Sequence, residues 1–493
     1  MSGPVGASEP GRRILVVGLD CATPELVFDA WRDDLPTIRG LMERGAWGRL
    51  ESTVPAITVP AWSSMMTGLD PGQLGFYGFR NRRDHTYDGM RIADSRAVQD
   101  PRVWDILSAA GKRVGVIGVP QTYPVRPVNG ELVSCFLTPG ADSEYTFPQD
   151  LKQSIESWIE GPFLVDVPNF RSDDKSRILA DIYAMAEQRF AICRELLRTR
   201  TYDFFMFVDM GVDRIHHAFW RYMDPSHPKH EPGSPFGPAI HDYYVFVDRN
   251  IGELLTLVDD DTIVVVVSDH GARPIVGGIC VNEWLIEQGY LALADYPSDL
   301  RSLHDCDIDW SRTKAWGEGG YYGRVMMNVK GREPAGIIEP EDYEAERAEL
   351  AAKLEHITDP EGREIGTRAY RPEDVYVSVK NVSPDLIVYF GDLAWRSVGT
   401  VGFRSVWTFE NDTGPDDANH AQHGIFVYFD PLDPGGGRRL ADVSIYDVAP
   451  TLLGVFEQSP PERGRGGAIE LDRGYSADEE AEVTSRLQDL GYL

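Results

Sequence analysis

Cysteine is scarce in this chain: five residues in 493 (Cys21, Cys135, Cys193, Cys280 and Cys306), odd in number, widely spaced and without a Cys-x-x-Cys pair. That excludes a disulfide-stapled scaffold and a zinc ribbon, and suits reduced thiols in a cytosol. Positive charge is also short. Lys and Arg number 48 against 78 Asp and Glu, a formal charge of −30. A chain of that sign is not built to lie along a nucleic-acid backbone or to be held electrostatically on an anionic membrane, so neither is expected as a partner. Long apolar runs are missing as well. The first, Ile14–Leu19, is far too short to span a bilayer, and residues 1–13 lack the basic-then-apolar order of a signal peptide. A soluble, cytoplasmic protein is the expectation.

What is present is an ordinary globular composition, 42% hydrophobic and 26% charged, with ample length for a large core. Ile14–Leu19 reads as a strand buried on both faces that ends in Asp20. Helix and strand then alternate: Pro101–Ala110 and Arg113–Val119, Ser172–Arg200 and Tyr202–Asp209, His241–Val258 and Thr262–Ser268. Such alternation predicts an α/β fold, a central and mostly parallel sheet flanked by helices on both faces. The predicted organisation is a loose tail at 1–12, a core formed by 13–290 and 376–460, a smaller inserted cap at 291–375, and a tail at 461–493. The cap holds the glycine-rich stretch Trp316–Gly323 and a charged helix at Pro340–Ile357. The core is expected to resume at Pro384–Phe390 and Gly424–Phe429, with a packing helix at Asp447–Phe456. The final tail opens a helix with capping-box residues Ser476–Glu479.

In open α/β sheets, chemistry collects beyond the carboxyl ends of the strands. Four stretches place Asp and His there: Asp20; Asp209, Asp213, His216 and His217; Ser268-Asp269-His270-Gly271; and His420 with His423. Asp213 and His217 stand four apart and would share one helix face. Carboxylates mixed with imidazoles suit zinc, with manganese or iron as alternatives. Any one Asp–His pair can be a surface turn or a satisfied core histidine. Asp269-His270 is harder to explain that way, because both close a deeply buried strand and unpaired buried charge is costly. In Pro55–Gly68, Thr58 precedes Val59-Pro60 at the start of an amphipathic stretch. Its hydroxyl is either an ordinary helix cap or a nucleophile activated by a metal.

Taken in order, Asp20, Thr58-x-Pro with Thr67-Gly68, Asp213-x-x-x-His217, Ser268-Asp269-His270-Gly271 and His420 resemble the alkaline phosphatase superfamily. Within it they are most similar to bacterial members of the type I phosphodiesterase / nucleotide pyrophosphatase branch, over residues 14–456. The resemblance implies two divalent ions, usually zinc. Asp213, His217 and His420 would hold one. Asp20, Asp269 and His270 would hold the other, beside Thr58 as nucleophile. His423 is the alternative to His420. The Cys/Ser-x-Pro-x-Arg signature of sulfatases is absent, since Thr58-Val-Pro-Ala-Trp62 stands in its place. The family's phosphoryl-binding Asn falls here on Phe79, next to Arg80-Asn81-Arg82-Arg83. Asn81, Arg80, Trp62 and Phe79 are therefore the substrate-binding candidates, although the basic cluster reads equally as a solvated loop and the aromatics as core. The implied activity is hydrolysis of a small phosphodiester or nucleotide pyrophosphate through a phosphothreonine. A phosphomonoesterase using the same residues, or a phospho-ligand-binding protein without catalysis, are the alternatives.

Overall fold

A computed structural model describes residues 11–469 apart from Asp442. Nearly all of the expected 1–12 tail, and the whole Ser476–Glu479 capping box, lie outside the described residues. The fold is α/β around a ten-stranded sheet. Along its main path the strands run Arg438–Arg439, Ala46–Glu51, His423–Phe429, Ile263–Val267, Ile14–Leu19, Phe204–Asp209, Val114–Ile117, Gly130–Val133 and Thr146–Phe147, while Val443–Ser444 pairs with Ala46–Glu51. The block from Ile263–Val267 to Gly130–Val133 is parallel throughout. Its members are apolar along their length because helices cover them: Ile14–Leu19, Phe204–Asp209 and Ile263–Val267 are buried at every position. Lys175–Thr199, Gly211–Met223 and Ala239–Leu255 pack on one another as one helical layer, and Thr58–Thr67, Val103–Ala109 and Val448–Gly454 pack as another. Among the described residues no helix is long and apolar enough to cross a membrane.

One strand breaks the parallel pattern in a way that matters for the site. His423–Phe429 runs antiparallel to both Ile263–Val267 and Ala46–Glu51. An antiparallel strand enters a sheet at the edge where its parallel neighbours leave it. The residues just before His423 therefore meet those just after Leu19, Val267 and Asp209. Ala46–Glu51, parallel to the main block, exits at the same edge and leads to Thr58.

The Leu386–Tyr389 strand is a correction to the sequence reading. It was expected in the central sheet. Instead it joins a separate antiparallel sheet with Gly323–Met327, Ala315–Glu318 and Arg368–Tyr370. Gly277–Cys280, Trp395–Val398 and Trp407–Thr408 form a further small sheet beside it. Together they enclose a second core that includes Ile279, Leu285, Val325, Leu350, Val388 and Val406. This second lobe reaches beyond 291–375 on both sides. Buried apolar strands look alike in either sheet, so composition could not assign Leu386–Tyr389 to one of them.

Candidate metal centre

Three carboxylates and three imidazoles converge at the sheet edge, each almost inaccessible: Asp20, Asp269 and His270 at 0%, His420 at 1%, His217 at 2% and Asp213 at 3% exposure. Candidate ligand atoms of Asp213, His217 and His420 lie within 4.8 Å of one another, and so do those of Asp20, Asp269 and His270. Asp213 and His217 occupy one face of the Gly211–Met223 helix, with His217 Nε2 3.2 Å from Asp213 Oδ1. His420 Nε2 stands 3.8 Å from the same oxygen. In the second group, His270 Nε2 is 3.0 Å from Asp269 Oδ2 and 3.9 Å from Asp20 Oδ1. The rings of His270 and His420 stack 3.8 Å apart, which joins the two groups.

The hydrogen bonds around the six side chains hold the outward atom of each group, and the inward atoms are left without a hydrogen bond except His270 Nε2, which meets the Thr58 hydroxyl at 3.4 Å. His217 Nδ1 pairs with Asp416 Oδ1 at 2.7 Å, His420 Nδ1 with the Ala56 carbonyl at 2.9 Å, and His270 Nδ1 with the Gly271 carbonyl at 3.1 Å. With the proton on Nδ1, each Nε2 is free as a lone-pair donor. The carboxylates behave alike. Trp62 Nε1 donates to Asp20 Oδ2 at 2.6 Å, the Cys21 amide to Asp269 Oδ1 at 3.1 Å, and Arg214 to Asp213 Oδ2. Asp20 Oδ1, Asp269 Oδ2, Asp213 Oδ1 and His217 Nε2 are buried with no hydrogen-bond partner. Leaving even one ionised carboxylate buried without a counter-charge costs several kcal/mol, and here three share a small space with a single guanidinium, Arg214, on the outer oxygen of Asp213. Divalent cations fit both donor sets, and oxygen with imidazole nitrogen is the mixture zinc accepts.

The electrostatics carry the same strain. Burial, then the charges of Asp269 and Asp213, hold the Asp20 carboxyl well above its usual range. Burial also raises Asp269. His270 is pushed down by burial but further up by Asp269 and Asp20, reaching about 9. His420 is driven well below the ordinary histidine value by burial and by the neighbouring His270 and His217.

Thr58 is the first residue of the Thr58–Thr67 helix, and Ile57 holds the cap position with no side-chain bond. Its hydroxyl is thus not spent on capping. It lies 3.4 Å from His270 Nε2, at 3% exposure. His423, the alternative to His420, is exposed at the first position of its strand. His216 points away from the cluster, with Nε2 3.2 Å from the Tyr244 hydroxyl.

The substrate candidates are placed differently. Trp62 is a buried support for Asp20. It can lie there because Gly18 has no side chain: a Cβ at Gly18 would come within 2.6 Å of the indole. Asn81 is buried and closes its own turn, accepting from the Tyr77 amide and donating to the Gly78 carbonyl. Phe79 is half-buried against Phe136, and Arg80 is exposed. Arg82 turns to Glu333 of the second lobe. Phe219, Trp220 and Tyr222, which follow His217, are core residues. Substituting Trp62→Phe keeps the ring and deletes the donor to Asp20, so the expected loss is in metal affinity rather than KM, read by metal titration beside steady-state kinetics.

Three further residues escaped the sequence reading. Asp416 orients His217 and also accepts from Arg171 Nη1 at 2.6 Å. Tyr321, from the glycine-rich stretch of the second lobe, stacks 4.9 Å from the His217 ring and 4.4 Å from the His420 ring, and its hydroxyl accepts from Arg171 Nη2 at 2.8 Å. Cys21 sits beside His270 and His420, but burial raises its thiol and Sγ is engaged with the Gly271 carbonyl at 3.2 Å. Asp416 stands four residues before His420, a proximity that is the one signal the sequence offered. Asp416→Asn removes the charge behind His217, and metal affinity is expected to fall about 10–100-fold on titration with a fluorescent chelator as competitor.

Comparison with known proteins places this geometry in context. The family model of type I phosphodiesterase / nucleotide pyrophosphatase matches residues 14–424. The fold is similar to phosphonoacetate hydrolase from Sinorhizobium meliloti 1021 in complex with phosphonoformate, with a TM-score of 0.56 and 18% identity over 91% of this chain and 96% of that one. It is similar to human ectonucleotide pyrophosphatase / phosphodiesterase 5 at a TM-score of 0.53 and 15% identity, over 92% and 97% of the two chains. The murine counterpart, an inactive threonine-to-alanine form in complex with AMP, gives 0.50 and 15% over the same shares. No curated protein sequence matches.

Proposed function

The chain belongs to the type I phosphodiesterase / nucleotide pyrophosphatase family and is a hydrolase of phosphoric ester bonds, and we propose that it cleaves a phosphodiester or nucleotide pyrophosphate bond through Thr58 and two divalent ions. The observation that carries this reading is the set of inward, unpartnered atoms on Asp20, Asp213, Asp269 and His217 beside a hydroxyl that caps nothing. Asp213, His217 and His420 would hold one ion, and Asp20, Asp269 and His270 the other, with Zn2+ favoured over Mn2+ or Fe by the donor types. When bound, such ions lower the pKa of a neighbouring hydroxyl and stabilise charge developing on phosphoryl oxygens.

The chain's own part is positional. The Thr58–Thr67 helix presents Thr58 Oγ for in-line attack. The Thr58 oxygen bonds to phosphorus as the bond to the leaving oxygen breaks, and that oxygen departs as an alcohol or phosphate. Water then attacks the phosphothreonine, returning the Thr58 hydroxyl and releasing a phosphomonoester. Trp62, Arg214, Asp416 and the Cys21 amide hold the surrounding side chains so that little rearrangement is needed. The inactive murine relative, with alanine in place of a threonine and AMP bound, supports both a threonine nucleophile and a nucleotide-type substrate.

The test is hydrolysis by zinc- or manganese-loaded protein of bis(p-nitrophenyl) phosphate, p-nitrophenyl phosphate and phosphonoacetate, the last because of the fold shared with phosphonoacetate hydrolase. Preference for the diester is the expected result. Preference for the monoester moves the reading to a phosphomonoesterase on the same residues, and preference for phosphonoacetate to C–P bond cleavage.

A further inference from the structure

The glycine-rich stretch Trp316–Gly323 has no part in the hydrolytic reading, yet it carries the second lobe to the metal centre. Gly320 pairs with Ser397 through two backbone hydrogen bonds of 2.8 and 3.0 Å, and a Cβ at Gly319 would come within 2.4 Å of the Gly399 nitrogen. Bare backbone lets the stretch lie against the Trp395–Val398 strand and its continuation, and Tyr321 follows directly. The Tyr321 carbonyl accepts from Asn419 Nδ2 at 3.0 Å, beside His420. Its ring packs against those of His217 and His420 at 4.9 and 4.4 Å, and Arg396 Cζ lies 5.9 Å from the ring centre. Its hydroxyl accepts from Arg171 Nη2 at 2.8 Å, and Arg171 Nη1 donates to Asp416 Oδ2 at 2.6 Å. Asp416 Oδ1 meets His217 Nδ1 at 2.7 Å. The path thus closes on itself: His217, Asp416, Arg171, Tyr321 and back to His217.

The two sets of candidate ligands differ in what holds them. Asp20, Asp269 and His270 are held by Trp62, the Cys21 amide and the Gly271 carbonyl, all from the central-sheet core. His217 and His420 instead share a ring that belongs to the second lobe. A single hydrogen bond at Nδ1 leaves an imidazole free to swing about that bond, whereas a flat ring packed against it also fixes its plane. Tyr321 does this without competing for either Nε2, because its hydroxyl is engaged by Arg171. The Arg171–Tyr321 hydrogen bond crosses from the core to the second lobe, so the position of that lobe is tied to the two histidines. We propose that Tyr321, anchored by Arg171, is a positioning residue through which the second lobe sets the affinity of the ion at Asp213, His217 and His420, while the ion at Asp20, Asp269 and His270 depends on the central-sheet core alone. This role presupposes two ions at the centre, as in the hydrolytic reading.

The experiment is titration of the metal-stripped, full-length protein with Co2+, followed by calorimetry and by visible absorption. Two binding steps are expected in the wild type, and His217→Ala and His270→Ala, each removing one of them, assign the steps. Tyr321→Leu is expected to weaken the His217 step by about tenfold or more, the size of effect seen when the outer support of a metal ligand is lost, and to leave the His270 step within about threefold. At saturation the visible spectrum of the ion on His217 should change as well, which a general loss of stability would not produce. Tyr321→Phe keeps the ring and should restore most of the affinity. Arg171→Met frees Tyr321 and Asp416 together, should resemble Tyr321→Leu, and decides the matter if the leucine variant folds poorly. The proposal fails if both variants keep the wild-type His217 step, or if the two steps weaken alike. A wild-type chain that takes up one ion or none overturns the two-ion reading and this role with it. Two wild-type steps that ignore Tyr321 and Arg171 overturn this role alone.

Discussion

Thr58→Ala is expected to lower kcat on the best ester substrate by about a thousandfold or more, while metal content and thermal midpoint stay close to wild type. The argument is that the hydroxyl supports no structure. The Thr58–Thr67 helix is capped at Ile57, and the Thr58 hydroxyl makes only a 3.4 Å contact with His270 Nε2. Its deletion should therefore cost no more than about 1 kcal/mol of stability. Thr58→Ser sharpens the test, because it restores a hydroxyl at the same atom and should recover much of the rate. A Thr58→Ala enzyme that turns over at the wild-type rate would remove the covalent route altogether. One that is inactive because it has lost its ions would show instead that Thr58 is needed to hold them. Rapid-quench detection of phosphate on the wild-type chain but not on the alanine variant separates these cases.

Metal removal is the second large effect. Stripping the protein with a chelator should abolish hydrolysis and lower apparent stability by about 4 kcal/mol for each ion that had been present at about a thousand times its dissociation constant. The pH dependence of the stripped protein should also reverse. In the metal-free fold His270 keeps its proton up to about 9, since Asp269 and Asp20 outweigh the burial that pushes it down. An unfolded histidine titrates near about 6.5. Between those values the folded chain binds more protons than the unfolded one, so this contribution is complete below about pH 6.5 and is lost as the pH climbs to 9. His217, held well above its ordinary value, acts in the same direction over this window, while the raised carboxyls of Asp20 and Asp269 lose their contribution from the ordinary carboxyl range upward. The thermal midpoint of chelated protein is therefore expected to fall between pH 6.5 and 9. Metal-loaded protein should hold or gain over that window, because ions compete with those same protons. Thermal scans with and without chelator at three pH values decide the matter, and parallel curves would show that these side chains hold no ion.

How much of this was legible beforehand varies by element. The apolar runs Ile14–Leu19 and Ile263–Val267 announced their own burial, and the Asp213–His217 spacing announced a shared helix face, because both are local patterns with a fixed period. Leu386–Tyr389 carried the same kind of signal yet went to the other sheet. Strand character is written in a few neighbouring residues, but the choice of partner strand is not. Trp62 was open between a substrate-binding candidate and a core aromatic; it is buried and is the donor that fixes Asp20, an outcome that depends on Gly18 of the Ile14–Leu19 strand lying beneath the helix that carries it.

The chain order of Asp, Thr and His residues thus determined the class of chemistry and the family, since ligand types and their local spacing survive without any knowledge of the fold. Only the tertiary structure decided which histidine faces inward, that the Thr58 hydroxyl caps nothing, and that Asp416 and Tyr321 complete the surroundings of His217. These are consequences of strand direction. His420 reaches the cluster because His423–Phe429 runs antiparallel, and it lies in Ala418–Ala421, paired with Gly271–Pro274, while His423 is left exposed at the first position of the next strand. A pairing between segments about 150 residues apart is set by the free energy of the whole packed sheet, and no local stretch of sequence encodes it.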